Sequence, residues 1–257
     1  MPQHPTPGRS LRPAVVRRRS RCGSSFRSWR HWSAALTLVA VTGLAGCGSN
    51  SERTLPDAAP PAVDTLTAQQ IVTEAQRALS QASSVHITGQ YREDNKPVQI
   101  DMRIAAGNKA IGTVLADGSK VDLRRIGDTL YVKGDDKFLA ALGPKAQASK
   151  GKWLVGPVAE ADRGLANLTD MKRFADTLAP GNGALTKEAV RSIAGTRAIS
   201  VLSPAGVRLW VADTGPAYPL RVERIGAAVG FIDYGDYNAP VDVKAPAPTV
   251  DLASVTT

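Results

Sequence analysis

The chain has little cysteine, little histidine, few aromatics and no long apolar run. Its 257 residues hold two cysteines, Cys22 and Cys47, and three histidines, His4, His31 and His86. Two cysteines cannot build a disulfide framework or a four-thiolate metal site. After Cys47 the one histidine is His86, and no serine stands in a Gly-x-Ser-x-Gly setting. Nucleophilic catalysis of the Ser-His-Asp or Cys-His kind therefore has no candidate constellation. Carboxylates alone would have to bind a metal, and none follows calcium-loop spacing. The longest apolar stretch, Ser33–Leu44, is about a dozen residues, short of the roughly 20 that a membrane span needs. Acidic residues are absent before Glu52, whereas eight arginines precede Cys47.

That one-sided charge makes sense as a secretory leader. The order is basic, then apolar, then small residues at Leu44-Ala45-Gly46-Cys47. The last four residues resemble a bacterial lipobox. The resemblance implies cleavage before Cys47, a diacylglycerol on its thiol, and a chain held by lipid on the outer leaflet of the cell membrane. Arg17-Arg18-Arg19 could also suggest a twin-arginine signal, but a polar stretch separates it from the apolar run. Residues 1–46 are thus expected to be a signal peptide and 47–65 a lipidated tether, because Ser, Pro and Asp dominate there without an apolar period. Removal of the leader leaves 24 basic against 23 acidic residues, a net of +1. Such a balance gives no reason to expect a nucleic-acid partner. Arg124-Arg125 and Arg221-Arg224 are expected on solvated strand faces.

The mature part begins with a helix. Thr67 and Gln70 fit a capping box, Leu66 and Ile71 a hydrophobic staple, and Ala68, Ile71, Val72, Ala75, Ala78 and Leu79 recur at helical spacing. Strands follow. Val98, Ile100, Met102 and Ile104 alternate with Gln99, Asp101 and Arg103, and Asp117-Gly118 is a strong two-residue hairpin signal. Gly127-Asp128 turns a further pair. The middle predicts a short helix over 136–142, a strand at 151–155, a helical face of Leu168, Met171, Phe174, Ala175 and Leu178, and a third short helix over 187–192. Strands return at about 196–202, 207–212, 218–225 and 229–234. Nine or ten strands and two or three helices in this order predict an α+β domain over 66–245: one antiparallel sheet with helices on one face. Residues 246–257 are expected to be a disordered tail.

A family resemblance accompanies this pattern. It is carried by the lipobox, the tether, one amphipathic helix and a meander containing Gly127-Asp128-Thr129-Leu130-Tyr131-Val132. The segments Gly151-Lys152-Trp153-Leu154-Val155, Leu209-Trp210-Val211-Ala212, Pro219-Leu220-Arg221-Val222 and Asp236-Tyr237-Asn238-Ala239-Pro240-Val241 complete it. Together they resemble the actinobacterial envelope lipoproteins of the LppX/LprG type and the wider LolA-like group. The resemblance implies a strongly curved half-barrel whose helices cover its concave face. It also implies an apolar space for acyl chains of lipids or lipoglycans, and a possible transporter partner in the envelope. It supplies no motif that assigns a ligand-binding residue.

Candidate cavity walls come from the apolar periods: Val98, Ile100, Met102, Ile104, Val121 and Leu123 on the sheet, and Leu168, Met171 and Phe174 on the helical segment. A filled core and an open pocket share the same period, so the pattern leaves both possible. The function expected is binding or shuttling of acyl chains, and the alternative is an envelope interaction or sensor module with a filled core. No enzymatic activity and no cofactor are expected, and a monomer is. His86 is read as a solvent-facing strand residue. Gly181-Asn182-Gly183 is read as a helix stop and turn, since it lacks the lysine of a phosphate loop. Trp153, Trp210, Tyr218, Phe231, Tyr234 and Tyr237 are weighed as a carbohydrate platform and read as ordinary strand aromatics.

Overall fold

The computed structural model describes residues 62–93, 95–178, 183–225 and 230–256. The leader, the lipobox, the tether up to residue 61 and the 181–182 part of the glycine-rich turn lie outside the described residues. The last residues of the expected tether are structured. Val63–Thr65 form a 3-10 turn, and Val63 is buried against the core.

The first helix, α1 (Ala68–Gln81), follows its sequence signals. The Thr67 hydroxyl accepts from the Gln70 N–H at 3.3 Å, and the Gln70 side-chain oxygen accepts from the Thr67 N–H at 2.9 Å. Both bonds satisfy donors that a helix start leaves without partners. Its buried face is Ile71, Val72, Ala75, Ala78 and Leu79. Burying each of the three larger side chains is worth about 1.5–3 kcal/mol.

Twelve strands make one sheet: β1 (Ser84–Glu93), β2 (Lys96–Ala105), β3 (Lys109–Ala116), β4 (Ser119–Ile126), β5 (Thr129–Gly134), β6 (Trp153–Pro157), β7 (Thr186–Ile193), β8 (Thr196–Leu202), β9 (Val207–Ala212), β10 (Pro219–Arg224), β11 (Gly230–Gly235) and β12 (Thr249–Asp251). Their order is β12-β6-β5-β4-β3-β2-β1-β11-β10-β9-β8-β7, so the sheet stays unclosed. Two meanders, β1–β6 and β7–β11, meet where β1 pairs with β11. All pairs are antiparallel except β12 with β6, which are parallel. Asp117 and Gly118 both have positive φ, 50° and 72°, as the tight β3–β4 turn demands.

One face of the sheet is apolar. Val98, Ile100, Met102 and Ile104 of β2 are buried, and Gln99 and Asp101 between them are exposed. Inner-face glycines let the strands crowd together as the sheet curves. A Cβ on Gly112 would overlap the Asp101 carbonyl oxygen and come within 2.7 Å of the Met102 Cα. On Gly89 it would lie 2.6 Å from the Phe231 carbonyl oxygen. Only a residue without a side chain permits such approach.

The helices lie over this apolar face. They are α2 (Asp136–Leu142), α3 (Pro144–Gln147), α4 (Arg163–Asn167), α5 (Met171–Thr177) and α6 (Ala253–Thr256). Helix α1 touches β8, β9 and β10; α2 touches β4 and β5; α5 packs on α1. Leu79, Leu139, Ala146, Phe174 and Val255 share one core cluster with the strands.

Three expectations are corrected. Residues 187–192 form strand β7, not a helix. Ala194 and Gly195 at positive φ turn the chain back into β8. A register shift between Lys187 and Val190 spoils the two-residue period that would have marked the strand. Residues 246–257 are not a loose tail: β12 extends the sheet, and Val255 is buried. The Trp153 N–H donates to the Pro248 carbonyl at 3.0 Å, which places the tail beside β6. The helical face expected from Leu168 to Leu178 is divided. Leu168 caps the end of α4, and Asp170 starts α5 by accepting from the Lys172 and Arg173 N–H groups.

Candidate functional site

Between the sheet and the α4–α5 segment runs a groove of about 530 Å³, within the usual range for small-molecule sites. Ile100 of β2, Val222 of β10 and Ile232 and Tyr234 of β11 form its sheet side. Leu168, Phe174 and Thr177 form the helical side. Tyr91, Val207, Arg224, Gly230 and Ala205, in the β8–β9 turn, also line it.

The register explains why these residues share a wall. Gly89 pairs with Ile100 on one side and Ile232 on the other, and Ile232 pairs with Val222. This inner-face row therefore lacks a side chain at β1. At Gly230 the missing side chain makes room for Tyr91, whose Cβ lies 2.7 Å from where a Cβ would stand. At the far end Tyr234 is buried. Its burial raises the phenol pKa above the ordinary tyrosine value, and Thr177 hydrogen-bonds its side chain.

The nine candidate wall residues divide between groove and core. Ile100, Leu168 and Phe174 line the groove. Val98, Met102, Ile104, Val121 and Leu123 belong to the packed core cluster, and Met171 is partly buried against it. Groove residues that the sequence reading did not select include Tyr91, Val207, Val222, Arg224, Phe231, Ile232 and Tyr234. The alternation of Val222 with Arg221 and Glu223 was visible, but its meeting with Phe174 depends on a strand order that local sequence does not reveal.

Two arginines expected on solvated faces lie on the inner side. Arg125 is buried. Its Nε donates to the Gly127 carbonyl at 2.9 Å, and its Nη1 lies 3.8 Å from the Asp170 carboxylate that caps α5. This contact ties the α5 start to β4. Arg224 stands at the end of β10, on the same face as Val222 and in the groove lining.

The outer face is polar and cross-linked. Arg208 of β9 bridges Glu188 and Glu223 at 2.9 Å each, and the Trp210 indole N–H donates to Glu223 at 3.1 Å. Arg221 binds Asp233 through two nitrogens. His86 lies between two carboxylates, with Nε2 2.8 Å from Asp101 and Nδ1 3.1 Å from Asp236. Arg103 and His86 together hold Asp236 below the usual carboxylate range, Arg103 contributing more. The contacts of His86 are thus acids and not a nucleophile. The six aromatics share no platform: Trp210 and Tyr234 are buried, on opposite faces, and Tyr218 stacks on Tyr237 with ring centres 4.0 Å apart. Among the described residues no group of three His, Cys, Asp or Glu side chains could hold a metal ion. Nor is any helix among them long and apolar enough to cross a membrane.

No protein-family model matches the chain, and no curated protein matches it. Solved structures do. LprF from Mycobacterium bovis superposes with a TM-score of 0.52 at 18% identity, over 70% of this chain and 97% of that one. The Mycobacterium tuberculosis lipoprotein LppX gives 0.47 at 18% identity, over 69% of this chain and 98% of that one. The chain has the LprF fold, an α+β half-barrel with helices on one face, at 18% identity.

Proposed function

We propose that this protein is an exported, lipid-anchored carrier that holds acyl chains in the groove between its sheet and the α4–α5 segment. The observation supporting this reading is the apolar groove itself: Ile100, Val222, Ile232, Leu168 and Phe174 converge on about 530 Å³ of space. An acyl chain is the ligand such walls suit, since each buried methylene contributes about 0.8 kcal/mol and needs no polar partner. The buried Tyr234 hydroxyl is already occupied by Thr177. Cys47 carries the membrane anchor, and the domain works on the outer leaflet as a monomer. A bound chain is passed between the membrane and the outer envelope, with an envelope transporter as partner. The described lining holds no acid, histidine or cysteine, and the role we read for it is binding.

Native mass spectrometry of the chain bearing Cys47→Ser, purified from a lipid-containing bacterial host, tests the groove. Co-purified lipid is expected on this protein and absent from a Val222→Trp variant that fills the groove. A clean apo mass in both, with no binding of a fluorescent acyl probe, would rule out the carrier reading. The anchor is tested separately by the mass of the N-terminal peptide and by the loss of membrane association in Cys47→Ser.

A further inference from the structure

The groove contains one charged side chain among the described residues, Arg224, and no acid lines it. The other polar side chains of its lining are Tyr91, Tyr234 and Thr177. Arg103, Arg125, Arg197, Arg208 and Arg221 all lie against carboxylates. Arg224 is set apart by its place in the groove lining. It shares a strand face with Val222, it is exposed, and no acid stands in the described groove lining beside it. In the adjoining β11, Gly230 lets Tyr91 approach closely, since a Cβ there would lie 2.7 Å from the Tyr91 Cβ.

From this arrangement we propose that the groove selects an anionic amphiphile: an acyl chain along Ile100, Val222, Ile232 and Phe174, ending in a phosphate or carboxylate that pairs with Arg224. This deepens the carrier reading and rests on it. The physical reason is complementarity. A planar guanidinium matches the two oxygens of a carboxylate or phosphate. A neutral headgroup in the same place would leave that cation unpaired. Because Arg224 is exposed, its contribution is the modest one of a solvent-screened pair.

The test compares two lipids that differ by one phosphate, 1-oleoyl-lysophosphatidic acid and 1-oleoylglycerol. Both displace a fluorescent acyl probe from the chain bearing Cys47→Ser. The phosphate lipid is expected to bind about fivefold more tightly, the ratio one exposed ion pair supports. That ratio should fall to about one in Arg224→Gln, persist in Arg224→Lys, and vanish for the unmutated groove when salt rises from ~0.02 to ~0.5 M. The salt series decides the matter even if a variant folds poorly. Equal binding of the two lipids, or a ratio that survives Arg224→Gln and salt, overturns the selectivity and leaves the carrier reading standing. Failure of both lipids to bind overturns the carrier reading and the selectivity with it. Glycerol phosphate alone competing as well as the lipid would place the anion site outside the groove and also overturn the proposal.

Discussion

Two parts of the same apolar face differ in what lies above them. Over β2–β5, Met102, Leu123 and Val132 are buried within the core cluster that includes Leu139 of α2. Over β10 and β11, Val222 and Ile232 are only partly buried, and the segment opposite them leaves the groove. The side-chain types are alike and so is their period. What differs is the cover. Helix α2 packs directly on β4 and β5, whereas the groove is covered by α4 and α5, two short helices separated at Leu168–Asp170. A short, divided cover meets the sheet at fewer points and leaves space that a continuous helix would fill.

Substitutions can break that comparison. Leu123→Ala removes a fully buried side chain from the packed part and should cost about 3–4 kcal/mol, read by urea unfolding. Gly112→Ala should cost about 2–3 kcal/mol, because its methyl group must displace the backbone at Asp101 and Met102. A well-tolerated alanine there would remove crowding as the reason for that glycine. Asp170→Ala strips the α5 start of its cap and Arg125 of its carboxylate, and about 1–2 kcal/mol should be lost. Val222→Ala, in the groove, should cost less than about 1 kcal/mol, because its side chain is already only half-covered. Equal losses for Val222→Ala and Leu123→Ala would mean that the two parts are packed alike.

The smallest effect concerns pH. The Lys120 and Phe138 backbone N–H groups, in that order, hold the Asp135 carboxyl below the usual range. A depressed folded-state pKa contributes stability above the unfolded value of about 3.9, and this is lost as pH falls through the folded value. Thermal unfolding of Asp135→Asn should therefore vary less steeply with pH below about 4 than that of the unsubstituted protein. Identical slopes would exclude this carboxylate from the acid response.

Local signals were legible wherever one short stretch sufficed. The Thr67–Gln70 box starts α1, and Asp117-Gly118 turns β3 into β4. The β2 alternation names its buried residues one by one. Illegible elements owe their state to distant partners. Strand β7 is an edge strand with a shifted register, mostly exposed, and so carries no alternation. Strand β12 has three residues and exists because β6 offers it a free edge. Arg125 has the sequence surroundings of a surface residue and is buried because Asp170, 45 positions later, is brought to it.

By itself the sequence determined the basic N-terminal stretch, the near-neutral balance after Cys47, the strand periods and the side of each strand that is apolar. These follow from residue chemistry and from the fixed repeat of backbone geometry. The tertiary structure alone decided which stretches of that apolar side are packed shut and which face open space. It also put Arg224 in a groove whose described lining holds no acid. The physical reason is that burial is a property of pairs of surfaces, and the second surface is supplied by residues far away in the chain.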